Sequence, residues 1–168
     1  PLPGQEGESS APLARHWPLE LLPMLIEPAE WRHIEAGIAQ RARLLEAVMA
    51  DTYGERQLLQ QGLLPASLVL AHPQYLRGMH AARPAGGVHL HVLAFDLTRC
   101  ADGQWRVVGQ RTQAASGLGY VLENRLIIAQ QFPEAFREMQ VQRLAASYRD
   151  FIEALVKLSP AAERSAQA

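Results

Sequence analysis

Apolar residues recur every three or four positions from Ala29 to Tyr53, with Trp31, Ile34, Ile38, Ala42, Leu45, Val48 and Met49 on one side. That spacing predicts an amphipathic α-helix. Pro28 suits its first turn, and Gly54 its stop. A shorter helix is expected over Glu55–Gln61, ending at Gly62, and a further helical turn over Ala66–Ala71, closed by His72-Pro73. Residues 77–87 hold Gly78, Pro84, Gly86 and Gly87 and read as a loop. The period then changes to two. Val88–Thr98 alternates as a strand does, and Trp105–Gly109 supplies a hairpin partner across the turn Ala101-Asp102-Gly103. Beyond a Gly/Ser loop, Tyr120–Gln131 returns to helix and stops at Phe132-Pro133. Glu134–Met139 predicts a short helix. Leu144–Leu158 predicts a last amphipathic one, with Leu144, Tyr148, Phe151, Ile152, Leu155 and Leu158 on one face.

The fold class is therefore α+β, mostly helical with a small antiparallel sheet. Two strands alone are marginal in water. A third is expected, either from the proline-broken apolar arm His16–Ile26 (near Leu21 to Ile26) or from a further part of the protein. Residues 1–15 are rich in Pro, Gly, Ser and Glu and predict a disordered leader or linker. Residues 16–159 form one domain, and 160–168 a frayed tail. No internal repeat is visible. The chain begins with Pro1 rather than Met, as expected of a processed chain or a piece of something longer.

Composition narrows the function classes. The 168 residues suffice for one domain with a core. Lys+Arg total 16 against Asp+Glu 17, so no concentrated basic surface is expected and nucleic acid is not a partner. Lys157 is the one lysine; arginine carries almost all the positive charge. The lone Cys100, beside the hairpin turn, excludes an internal disulfide framework and a cysteine-rich zinc site, and a turn is a poor place for a catalytic thiol. No apolar run approaches the roughly 20 residues of a membrane span, and the first residues lack a signal peptide's basic start and apolar core. A cytoplasmic protein with no membrane partner is expected.

Candidate chemistry gathers between Gly86 and Arg125. His89 and His91, two apart on a predicted strand, share a face and suit two ligands of one metal. No third ligand is near in sequence, and half-exposed, hydrogen-bonded histidines are the favoured alternative. Asp96 interrupts the apolar run Leu93, Ala94, Phe95, Leu97. A carboxylate there must be paired, metal-bound or at the strand's exposed end, and a salt bridge to a nearby arginine competes evenly with a functional role. Polar residues collect where the second strand gives way to the loop: Gly109, Gln110, Arg111, Thr112, Gln113 and Ser116. The loop Arg111–Gly119 leads into a helix, a plausible setting for an anion, although neither GxxxxGK[ST] nor GxGxxG is present. Glu123, Asn124 and Arg125 are three consecutive polar residues in an otherwise apolar helix. Arg41 and Arg43 read as solvent-facing charges.

Three segments carry a resemblance to a known family: Trp17–Val69, Gly86–Trp105 (GGVHLHVLAFDLTRCADGQW) and Ser116–Arg125 (SGLGYVLENR). Together they resemble the N-terminal part of the circularly permuted ATP-grasp type 2 proteins of bacteria, with 16–159 as that portion of the module. The resemblance implies an enzyme class that activates a carboxylate as an acyl phosphate with ATP and Mg, then captures it with an amine. It implies small-molecule carboxylate and amine substrates, and as partner the remaining C-terminal part of the same protein, without which this fragment is inactive. Asp96 falls where the family has a carboxylate and is assigned to the metal side. Arg111, Ser116, Gly117, Asn124 and Arg125 are assigned to ATP, the last two ordering the loop. The sequence also departs from the pattern. Relatives of the active type carry Glu-Asp-Asn where Gly109, Gln110 and Arg111 stand, and Thr-Pro-Ser-Gly where Ala114-Ala115-Ser116-Gly117 stand. Glycine supplies no metal ligand and arginine repels a cation, whereas arginine suits direct contact with phosphate. A similar Arg-Thr-Gln loop is found in the branch fused to an alpha-E domain. The alternative these departures imply is a degenerate, non-catalytic module that binds a ligand or serves assembly in a larger protein.

Overall fold

A 26-residue helix, α1 (Pro28–Tyr53), organises the first two thirds of the computed structural model, which describes residues 18–20, 22–113 and 115–158. The expected leader over 1–15 and tail over 160–168 lie outside those residues. Pro28 sits in the first turn, where its missing N–H has no acceptor to lose. Ile34 faces inward and is buried. The helix stops at Gly54, where a Cβ would lie 2.6 Å from the carbonyl oxygen of Ala50, so the chain can turn there only without a side chain. Arg56 adopts a left-handed conformation, φ 59°, and shortens the expected second helix to α2 (Gln57–Gln60). The Asp51 carboxylate caps α2, accepting Gln57 N–H at 2.8 Å and Leu58 N–H at 3.0 Å.

After α3 (Ala66–Leu70), residues 72–81 fold back on the end of α1. The Tyr75 ring stacks on Tyr53 with centroids 5.2 Å apart, and the Tyr53 carbonyl accepts Ala81 N–H at 2.7 Å. The expected loop contains two single 3-10 turns, Arg77–Met79 and Ala85–Gly87.

The hairpin pairs β1 (Ala94–Arg99) with β2 (Trp105–Arg111), antiparallel, from Ala94 opposite Arg111 to Arg99 opposite Trp105. Gly103 closes the turn at φ +79°. Asp96 faces Gly109 and Leu97 faces Val107, which leaves Val108 as the extra residue of a bulge. The strand expected from Val88 thus starts only at Ala94. Its would-be partners beyond Arg111 are the loop entering the next helix, and the backbone N–H groups of His89 and Leu90 are taken by a side chain of α1. No third strand joins the sheet among the described residues; residues 22–26 contain none.

Two side-chain contacts tie α1 to β2. Near the turn, Glu30 Oε1 accepts Trp105 Nε1–H at 2.6 Å and lies 3.3 Å from Arg99. At the other end Arg41 reaches Gln110 Oε1 at 3.5 Å, the outer limit of a hydrogen bond. Glu30 to Arg41 is about 16 Å of helix, and Trp105 to Gln110 about 17 Å of strand. The two rises match, so one helix face can hold both ends of one strand.

The remaining helices are α4 (Leu118–Gln131), α5 (Pro133–Glu138) and α6 (Leu144–Lys157). Ile128 on α4 is buried, and α4 packs against both α5 and α6. Leu22, Pro23 and Leu25 lie along Phe132, Phe136 and Met139, lining an apolar groove of about 200 Å³. The architecture is the expected α+β fold, mostly helical with a small antiparallel sheet. Among the described residues only Ile34, Thr52 and Ile128 are buried, and no helix is long and apolar enough to cross a membrane.

Candidate functional site

The antiparallel register places Asp96 and Arg111 on one face of the hairpin, diagonally across the two strands. Arg111 donates from its guanidinium to Asp96 Oδ1 at 2.8 Å. The space for this contact comes from Gly109 opposite Asp96: a Cβ at 109 would stand 2.8 Å from Asp96 Oδ2. The glycine that removes a side chain from this end of β2 is therefore what lets Asp96 lie across the sheet toward Arg111. Both partners are about half exposed.

The other assigned residues lie further along. Ser116 is exposed on the approach to α4. Gly117, at φ +106°, is the residue before its first turn, and its carbonyl accepts Val121 N–H at 3.1 Å. Asn124 and Arg125 are half-buried two turns into α4. Arg125 is held over the Phe136 ring of α5, 5.7 Å from its centroid. The structure thus brings Asp96 and Arg111 into contact and places Arg125 against α5.

His89 and His91 do not share a strand face, because neither is in a strand. His91 is exposed. His89 belongs to a different constellation that the helical pattern did not reveal. The Glu46 carboxylate on α1 accepts His89 N–H at 2.9 and 3.1 Å, Leu90 N–H at 2.8 Å, and the His89 ring at Nδ1, 2.9 Å away. The His89 ring also stacks on Tyr53, centroids 6.4 Å apart. Burial pushes the Glu46 pKa up. The hydrogen bonds from His89 and Leu90, with the imidazole charge, outweigh that and hold it below the ordinary value of 4.5. Glu46 ties the segment entering β1 to α1. Its only trace in the sequence is a carboxylate next to the apolar stripe of that helix.

A magnesium ion requires several oxygen ligands, usually one or two carboxylates with water and phosphate. The hairpin offers Asp96, whose Oδ1 already accepts from Arg111, and no group of three His, Cys, Asp or Glu side chains able to hold a metal occurs among the described residues. The donor set does not fit magnesium at this position. What the arrangement presents at the end of β2 is a guanidinium held in place by a carboxylate.

Residues 23–168 match the circularly permuted ATP-grasp type 2 family. The chain belongs to that family. It is similar to an uncharacterized protein of Mycobacterium tuberculosis, 41% identical over 123 residues, which are 73% of this chain and 14% of that protein. An uncharacterized Synechocystis protein is 32% identical over 146 residues, 87% of this chain and 30% of its own length. One from Mycobacterium leprae is 37% identical over 128 residues, 76% and 23% respectively. This ATP-grasp chain therefore spans 14% to 30% of the length of these relatives. ATP-grasp proteins as a family bind ATP with magnesium.

Proposed function

We propose that this chain is one part of an ATP-dependent ligase that joins a carboxylate to an amine, and that it supplies a phosphate-facing side of the nucleotide site. The observation that carries the reading is the family match over residues 23–168, supported by the anchored guanidinium of Arg111 at the end of β2. In the reaction, a substrate carboxylate oxygen attacks the γ-phosphorus of ATP and ADP leaves. The amine then attacks the acyl phosphate carbonyl, phosphate departs, and the amine loses a proton to give the amide. Arg111 places positive charge against the phosphates, where a planar fork of donors suits their oxygens. Ser116 and Gly117 form the approach to α4, and Asn124 and Arg125 order it from behind. The rest of the nucleotide site, any magnesium ligands and both substrate pockets belong to the remaining part of the longer protein, so the isolated chain is inactive. Its setting is the cytoplasm, where ATP is available.

A second reading is a degenerate module that serves ligand binding or assembly without catalysis. Gly109 and the Asp96–Arg111 pair favour it, because they occupy the position with a closed salt bridge. Calorimetry of Mg-ATP against the full-length protein separates the two, with Arg111→Ala measured alongside. The ligase reading expects saturable binding that weakens about tenfold or more in the variant, the scale of a lost charge-assisted contact. A folded protein that takes up no nucleotide at millimolar concentration overturns it in favour of the degenerate module.

A further inference from the structure

Arg125 lies over Phe136 of α5, and its surroundings define a second place of interest. Between α4, α5 and the start of α6 lies an open cleft of about 690 Å³ lined by Arg125, Arg137 and Arg143 together with Gln140, Leu126 and Phe136. That volume is in the range of small-molecule sites. Among the described residues no acidic side chain lines it. None of the three guanidinium groups has a carboxylate partner among the described residues; Arg125 is engaged only by the face of Phe136. Arg99, Arg106 and Arg111 are paired with Glu30, Asp102 and Asp96, while others, Arg32, Arg43 and Arg149 among them, have no carboxylate partner among the described residues; what sets the cleft apart is that three such arginines line one concavity. Three arginines without a carboxylate partner around one apolar-floored cleft make it electropositive, which favours an anion.

The backbone beside this cleft is held by a helix cap. Gln140 adopts φ +50°, a left-handed conformation that a non-glycine residue rarely takes, in the short link between α5 and α6. It is the left-handed residue that closes the end of α5, with Gln140 N–H on the Arg137 carbonyl at 3.3 Å. Here the Val141 N–H returns to the Phe136 carbonyl at 3.0 Å and locks the link, which carries Arg143 to the first turn of α6. Arg125 is held as well, its guanidinium 5.7 Å from the centroid of the Phe136 ring.

We infer that the α4–α5–α6 cleft is a binding site for a small organic oxyanion, a carboxylate or phosphate group carried on an apolar body. The oxyanion is met by Arg125, Arg137 and Arg143, and the apolar body by Leu126 and Phe136. The inference does not rest on the ligase reading. It does allow two sources for the anion, a substrate carboxylate or a nucleotide phosphate.

The test is calorimetry on the full-length protein with octanoate and with metal-free ATP as separate probes. Wild type is compared with Arg137→Ala/Arg143→Ala, and Arg106→Ala, whose arginine is far from the cleft in sequence and already paired, is the control. Arg137 and Arg143 are exposed, so the double variant keeps its fold, which an unchanged melting temperature verifies. The expected result is binding of one probe that falls about tenfold or more in the double variant and not in the control. Octanoate as that probe identifies a carboxylate pocket, ATP a phosphate pocket. Binding of neither probe at millimolar concentration overturns the inference, as does affinity unchanged by the double substitution. If ATP binding depends on Arg111 but not on Arg137 and Arg143, and octanoate does not bind, the ligase reading stands and the cleft fails. If octanoate binds through the cleft while ATP binds nowhere, the cleft stands and the ligase reading fails.

Discussion

Asp96 and Arg111 meet at 2.8 Å over a residue with no side chain, and the pair exists because Gly109 is a glycine. The atom a new Cβ would strike is the far end of the Asp96 side chain, which is free to swing away. Gly109→Ala is therefore expected to break the pair cheaply. Exposed ion pairs are worth about 0–1 kcal/mol, so stability should change by no more than that. The Arg111 guanidinium, released from its anchor, should lose affinity for nucleotide. Parallel thermal melts and ATP titrations of the full-length protein check both halves; a large loss of stability would mean the pair matters to the fold rather than to a ligand.

Gly54 gives the opposite expectation from a similar distance. Its added Cβ would meet the Ala50 carbonyl oxygen at 2.6 Å, and a helix carbonyl has nowhere to go. Gly54→Ala must distort the end of α1, which costs about 1–3 kcal/mol as overpacking does. The loss is read as a lower chemical-denaturation midpoint. A midpoint equal to wild type would show that the α1–α2 turn relaxes freely.

Glu46 makes the stability depend on pH. Its pKa is lower folded than unfolded, so its contribution is fully present above the ordinary value of 4.5 and is lost as pH falls through the folded value. Glu46→Gln removes the charge and leaves His89 and Leu90 with a poorer acceptor. The expected cost at pH 7 is about 1–3 kcal/mol. The gap between wild type and variant should narrow as the pH drops below 4.5. Melting temperatures of both proteins from neutral to acid pH test this, and a gap that stays constant would show that Glu46 does not titrate against the loop.

The parts of the fold set by local period were legible in the sequence. The 3.6-residue stripe gave α1 to within one residue of its start, and Pro133 and Gly54 marked true boundaries. Boundaries set by distant partners were not. Val88–Leu93 alternates like a strand, but a strand needs a neighbour, and β2 ends at Arg111. Glu46, 43 residues from His89, replaces that neighbour with a side chain, and no periodicity carries that information. Of the Asp96 alternatives the salt bridge is the one formed, because a diagonal across two strands brings Arg111 to the carboxylate. Arg125 is visible in the sequence as a polar interruption of an apolar helix. That its company would be Arg137 and Arg143 depends on how α5 and α6 turn back, which rests on the left-handed Gln140.

The scarcity of enclosed side chains sets the character of this region's unfolding. Only Ile34, Thr52 and Ile128 are buried among the described residues, while Leu22, Leu63, Leu68, Val108 and Tyr120 each remain more than 60% exposed. Heat-capacity change and denaturant slope both scale with the surface that unfolding newly uncovers. Much of that surface is already wet here. The helices and hairpin should consequently come apart over a broad range of denaturant, element by element, and whatever covers these faces supplies the cooperativity as well as the stability.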